Sequence, residues 1–312
     1  MLHHFTRSIA HIALPDKFTY PFHYTPHPLC VMAADEVQVY LQHQAQWQDE
    51  LQQGKMFGVL IVQTTEGEIG YLAAFSGILA GKNIHPYFVP PIYDLLQPDG
   101  FFKKEEEHIS AINHRIRELE EDTSYQKCRQ ALEEETARCS RLLSQAKAKL
   151  KAAKELRDCR RQTEQLSESE QAAMIRESQF QKAELKRLER SLKEHLSSLQ
   201  KETDTYVSQI EALKNERKSR SATLQQQLFE QFRLLNARGE VKDLCSIFAH
   251  TVHKIPPAGA GECAAPKLLQ YAYFHHYRPV AMAEFWWGDS PKAEIRHHGH
   301  YYPACKGKCE PI

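Results

Sequence analysis

Between Phe101 and Arg238 the chain contains neither glycine nor proline, although it has 13 glycines and 15 prolines in all. Nothing in that block breaks a helix. Its Glu, Lys, Arg, Gln, Ala, Leu and Ser composition is that of a long helix or coiled coil. Apolar residues recur at three- and four-residue steps, first at Ile109, Ile112, Ile116 and Leu119. A second series runs Leu185, Leu188, Leu192, Leu196, Leu199 and continues to Tyr206, Ile210 and Leu213. Such spacing makes a narrow seam rather than a broad amphipathic stripe. Around Cys128 to Cys159 the register loosens, with Ala and Cys replacing larger residues.

As one straight helix this block would run about 200 Å. A hairpin is the expected solution, turning at the polar tract from Thr163 to Glu170, whose serines can cap the returning helix. Two antiparallel arms would then each extend about 100 Å and bring both ends of the insertion to one place. The expected fold class is α/β (α+β): a small discontinuous domain carrying a long antiparallel helical coiled-coil insertion. The expected boundaries are 1–100, 101–238 and 239–312.

The flanking segments are consistent with a shared domain. Lys55 to Gln63 is strand-like, Thr64 to Gly67 turn-like, and Glu68 to Phe75 returns, so a β-hairpin is expected over about 55–75. Both strands are apolar at successive positions, which implies burial on two faces. Helices are expected over Ala33 to Leu51, Val241 to Phe248 and Ala264 to His275, with Pro266 near the first turn of the last. Val280 to Trp286 reads as a strand.

Forty basic residues balance forty acidic ones, so any attraction to nucleic acid or anionic lipid must come from a local patch. The start of the chain lacks an apolar core of signal-peptide length, and no 18-residue apolar run occurs. With eight cysteines and no secretory signal, the expected compartment is the reducing cytoplasm, with thiols free or bound to metal and no membrane partner. The chain stops at Pro311-Ile312, just after a Cys-Lys-Gly-Lys-Cys loop, and the expectation is that the natural gene continues beyond it.

Two runs near the end, GAGECAAPKLLQYA and AMAEFWWGDSPKAEIRHHGHYYPACKGKCEPI, carry a specific likeness. With FTYPFHYTPHPLC, GKMFGVLIVQ, GEIGYLAAFSG and FVPPIYDLL, the sequence resembles the extended N-terminal region found in a subset of RluA-type RNA pseudouridine synthases. A charged helical insert lies between these blocks there too, and the resemblance covers essentially the whole chain. It implies a role in converting uridine to pseudouridine in rRNA or tRNA, with structured RNA and a C-terminal synthase domain as partners. The family's nucleophilic Asp stands in an Arg-Leu-Asp motif, which is absent here. No catalytic residue is therefore assigned.

Cys263, Cys305 and Cys309 are the candidate metal ligands, with His300, His297, His298 or Cys245 as a fourth. Thiolate and imidazole donors in a reducing compartment favour zinc, here of structural type, although no cofactor is required by the resemblance. The plainer reading is three half-buried thiols packing a small domain. The order of hairpin, helix opening on Cys, strand and Pro-x-Cys loop also suits a zinc nucleobase deaminase, in which a Glu two positions after the first ligand carries the proton. That position is Ala265, and Glu262 lies on the wrong side of Cys263, so this reading ranks last.

Trp286, Trp287, Lys292, Arg296, Lys306 and Lys308 form an aromatic and basic group suited to stacking on unpaired bases and meeting phosphate. A Trp pair alternating across a strand, one ring inward, accounts for the same residues without RNA. Between Phe101 and Arg238 there are 28 basic and 24 acidic residues, the pattern of a solvated face laced with (i, i+4) pairs. Around Lys147, Lys151 and Lys154 the balance is locally basic, making a second RNA candidate near the turn. A coiled coil that dimerises is the alternative role for the helices.

Overall fold

The computed structural model describes every residue except 19, 20, 23, 24 and 293. The parts of the FTYPFHYTPHPLC and AMAEFWWGDSPKAEIRHH runs at those positions lie outside the described residues. The chain forms two compact units, 1–106 with 221–312, and 107–220. The fold is mixed α/β, with a small antiparallel sheet and one very long helix.

In the first unit β1 (Lys55–Gln63) and β2 (Ile69–Phe75) form an antiparallel hairpin. β5 (Arg278–Trp287) pairs with the other edge of β1, and the short β6 (Tyr301–Tyr302) follows, giving the order β2-β1-β5-β6. Segments more than two hundred residues apart therefore share one sheet. β1 is buried on both faces because each face carries a helix. Phe57, Val59 and Ile61 pack with Leu29, Ala33, Val37 and Leu41 of α1 (Pro28–Gln42). Leu60 and Val62 pack with Ala264, Leu268 and Ala272 of α7 (Ala264–Phe274). The result is three layers, helix on sheet on helix.

Close approach of α7 depends on Gly58. A Cβ there would stand 2.9 Å from the Ala264 Cβ and 3.1 Å from Leu268 Cδ1, and 3.5 Å from Cγ of Glu284, its register partner on β5. The missing side chain lets the start of α7 settle on the sheet beside Glu284.

α7 is also anchored by a buried ammonium. Lys267 Nζ donates to the carbonyls of Phe75 (2.9 Å) and Gly77 (3.2 Å) and lies 4.8 Å from the centre of the Phe75 ring. Burial pushes its pKa down to about 8 from 10.5. The folded state thus releases a proton that the unfolded chain still holds between these values, so Lys267 costs stability below pH 8. That cost is relieved as pH rises towards 10.5, by on the order of 3 kcal/mol. Chemical denaturation of wild type and Lys267→Met across pH 7–10.5 is expected to show wild type gaining relative to the variant; a constant difference would contradict this.

A satellite cluster gathers Phe229 and Phe232 at the end of α5 (Glu168–Gln231), Leu95, and Leu244 and Phe248 of α6 (Leu244–Phe248). It includes Leu234 of the hairpin β3 (Arg233–Leu235) and β4 (Val241–Asp243). Gln270 ties α7 to β3, accepting from Leu235 N at 2.7 Å and donating to Arg233 O at 3.3 Å.

Two helix expectations need correction here. The helix over Ala33 to Leu51 is α1, a one-turn 3-10 segment Ala45–Trp47 and α2 (Gln48–Gln52). Its break at His43-Gln44 lets Trp47 and Leu51 both reach the core. The helix over Val241 to Phe248 is β4 followed by α6, because Asp243 caps the latter, accepting from Ser246 N at 2.8 Å.

The second unit consists of parts of α3 (Phe101–Glu121), α4 (Thr123–Thr163) and α5. Side-chain contacts pair Asn113 with Arg217, Glu120 with Lys214, Glu135 with His195, Lys147 with Glu189 and Arg157 with Gln181. As one number rises the other falls, so α3 and α4 run antiparallel to α5. Ile116, Leu119 and Ile210 form its buried seam, with Ile112, Tyr125 and Leu213 beside them. The first arm is not continuous: Asp122 interrupts it and caps α4, accepting from Ser124 N (2.7 Å) and Tyr125 N (3.1 Å). At the turn Ser167 and Glu170 make a reciprocal capping box, Ser167 N donating to the Glu170 carboxylate at 2.8 Å and Glu170 N to Ser167 Oγ at 3.4 Å.

Candidate metal centre

The sheet and α7 converge on three sulfurs. Cys263 is the N-cap of α7, with an extended backbone (φ −67°, ψ 163°) and a side chain that makes no capping hydrogen bond. Cys305 and Cys309 flank a tight turn after β6, closed by the Cys309 N–H donating to the Cys305 carbonyl at 3.1 Å. The chain approaches that turn through Ala304, whose N–H donates to Pro21 O at 2.9 Å. The three Sγ atoms lie within 4.8 Å of one another, with 3.5 Å between Cys305 and Cys309. A tetrahedral zinc with Zn–S of about 2.3 Å spaces its sulfurs by about 3.8 Å, so the donor set fits a soft divalent metal in type and separation.

The thiols do not share protons equally. Hydrogen bonds from Cys263 first, then Cys309, with help from the Cys309 and Lys308 backbone N–H groups, hold Cys305 well below the usual thiol range. Cys263 is pushed up to about 12, first by its hydrogen bond to Cys305. Cys309 is raised as well, above all by its bond to Cys263.

His300 does not join this group; among the described residues the cluster is the three cysteines alone. The His300 ring lies 5.3 Å from that of His297, and its backbone carbonyl accepts from Trp286 N. His298 Nδ1 accepts from Gly288 N at 3.0 Å, and its ring rests 4.0 Å from Trp287. Cys245 accepts from Gln226 Nε2 at 3.4 Å. Among the described residues none of the proposed fourth ligands joins the three sulfurs.

The sulfurs line a cavity of about 360 Å³ together with Met56, Ser76, Glu284, Trp286, Arg296 and Lys308. Trp286 and Trp287 alternate across β5 as their adjacency dictates: Trp287 is buried against the α1 side, whereas Trp286 faces the cavity. The Trp286 indole N–H donates to Asp289 O at 2.9 Å, and the Arg296 guanidinium lies 5.3 Å from its ring and 5.1 Å from that of Tyr302. Glu294 pairs with Arg296 at 2.8 Å. Lys292 and Lys306 are exposed on the adjoining loops.

Glu284 was not among the sequence candidates for this centre. Its place in the middle of an apolar strand, VAMAEFWW, was the available signal: a carboxylate there must be buried. It accepts from Ala265 N at 3.1 Å, and burial pushes its pKa up to about 7.

Lys147, Lys151 and Lys154 belong to the other unit, on α4. Lys147 lies 3.5 Å from Glu189 and Lys151 4.0 Å from Glu155, while Lys154 is exposed. No described helix is long and apolar enough to cross a membrane. Comparison of the chain with protein-family models, curated proteins and solved structures finds no match.

Proposed function

We propose that this chain is an RNA-binding and positioning region of an RluA-type pseudouridine synthase, with zinc held at Cys263, Cys305 and Cys309. The observation that carries this reading is that the three thiols sit at the same cavity as Trp286, Arg296 and Lys308. A metal there would fix the C-terminal loop to the start of α7 and so hold its lysines in register with an aromatic face. Trp286 offers a ring to an unpaired base, while Arg296, Lys306 and Lys308 offer cations to phosphate. In this reading the antiparallel helices form a coiled coil, with Lys147, Lys151 and Lys154 as a second contact for structured rRNA or tRNA. The synthase domain of that family, bearing the Arg-Leu-Asp motif, is the partner that isomerises uridine in the cytoplasm.

The test is binding to stem-loop RNA as a function of salt. Wild type should bind with affinity that falls steeply as salt rises. Lys306→Ala with Lys308→Ala should weaken it and reduce the log–log salt slope by about one per lost phosphate contact. Binding that is absent at low salt, or indifferent to both substitutions, would refute the assignment. A second reading, self-association, is favoured by Leu156 and Phe180, which leave large apolar side chains exposed on α4 and α5. Sedimentation of the same samples without RNA distinguishes it.

A further inference from the structure

The thiol cluster gathers three protein donors, one fewer than a closed structural zinc site uses. The fourth direction matters because the same cysteines line a cavity, and its size falls within the range of small-molecule sites, about 300–1,000 Å³. On the cavity wall stands Glu284, a carboxylate only 5% exposed in the middle of the sheet. A buried carboxylate beside three sulfurs is costly for a site whose sole task is to cross-link loops.

Its position is informative. Glu284 Oε1 accepts the N–H of Ala265, the residue two places after Cys263. In zinc sites that hydrolyse nucleobases, the proton carrier is a non-ligating Glu at that sequence position. Here Ala265 supplies no carboxylate, but Glu284 brings one to the same turn of backbone from β5. Gly58, across the register, leaves room for it. Trp286 and Arg296 provide a flat, cationic wall on the same cavity.

Resting on the metal and RNA reading above, we infer that the metal keeps one coordination position open to the cavity. Glu284 then transfers protons for a water held there, in the hydrolysis of an amino-bearing, unpaired nucleobase. The water gives one proton to the Glu284 carboxylate as its oxygen bonds to the amino-bearing ring carbon. Glu284 passes that proton to the adjacent ring nitrogen. The remaining hydroxyl proton then moves through Glu284 to the exocyclic nitrogen, the carbon–nitrogen bond breaks, and ammonia leaves behind a ring carbonyl. Water is the only co-reactant, and nothing is oxidised or reduced.

Two measurements on the full chain test this. Cobalt(II) is substituted for the native metal and its visible spectrum recorded while azide is added; an open position predicts a shift of the ligand-field bands, four protein ligands no change. Single-stranded oligonucleotides containing cytidine or adenosine are then incubated with the zinc form of wild type and Glu284→Gln, with mass spectrometry reading amino-to-oxo exchange. Wild type should convert one of these bases. Glu284→Gln should keep metal content, the azide response and RNA affinity while losing at least about 100-fold in rate. A chain that binds no metal overturns the reading beneath. A metal-loaded chain with azide-blind cobalt overturns the open position alone. An azide-responsive chain that converts neither base, or a Glu284→Gln variant as fast as wild type, overturns the assigned chemistry.

Discussion

Cys263→Ser is expected to remove bound zinc from the protein, reducing it from about one ion per chain to a small fraction, because two thiols on one flexible turn cannot replace a tetrahedral set. The consequence should be structural as well as compositional. Cys263 belongs to the N-terminus of α7, whereas Cys305 and Cys309 belong to the loop after β6. Without the metal the loop is retained by the burial of Cys309 and Ala304, the short β6 ladder and the packing of Ile312 beside the satellite cluster. Limited proteolysis should therefore cut near Lys306 and Lys308 much faster in the variant or after chelation, with the rest of the unit intact. Cys245→Ser, whose sulfur contacts Gln226 instead, should leave metal content unchanged. Elemental analysis of the three purified proteins, with cleavage sites mapped by mass, checks both parts; equal zinc in Cys263→Ser and wild type would refute them.

Phe57→Ala should be the most destabilising single substitution in the first unit, at about 3–5 kcal/mol. Its ring is fully buried on the central strand, 5.8 Å from both Phe285 and Phe88. Truncation takes one aromatic neighbour from each of Phe285 and Phe88 and opens a cavity between them in the middle of the sheet. Phe57 also stands where β1 meets β5, joining the two distant parts of the chain. Urea denaturation followed by the near-ultraviolet signal of Trp47, Trp286 and Trp287 should show a lower midpoint with a similar slope. Phe180→Ala, exposed on α5, should shift it little. Equal shifts for the two would contradict the packing described here.

Much of the fold was legible because local signals agreed with tertiary demands. The strands of the hairpin and of β5 are long apolar runs bounded by turn residues, and α7 has Pro266 where a helix tolerates it. The turn near Ser167 carries a capping box in its sequence. What escaped were features where one residue redirects the chain. Asp122 interrupts a strongly helical stretch, and its capping role is invisible amid so many charged neighbours. Val241 to Asp243 pairs with β3 although the segment fits an amphipathic helix equally well, since a three-residue strand has no period of its own.

The three-cysteine cluster, a candidate metal site, was legible in part. Cys305 and Cys309 announce themselves by spacing, and Cys263 by rarity, but histidine abundance pointed wrongly to His300. That residue's backbone carbonyl accepts from Trp286, and its side chain is not part of the sulfur cluster. Glu284 could not be assigned to the centre from sequence, because the cysteines beside it come from α7 and the loop after β6. Only the sheet register, with Gly58 opposite Glu284, brings them to one place.

X-ray absorption at the zinc edge of the purified chain tests the three-thiolate centre most directly. Three sulfur neighbours at about 2.3 Å and one lighter oxygen or nitrogen neighbour at about 2.0–2.2 Å are the predicted shell. Four sulfurs, two sulfurs with two imidazoles, or no zinc edge from protein purified under reducing conditions would contradict it.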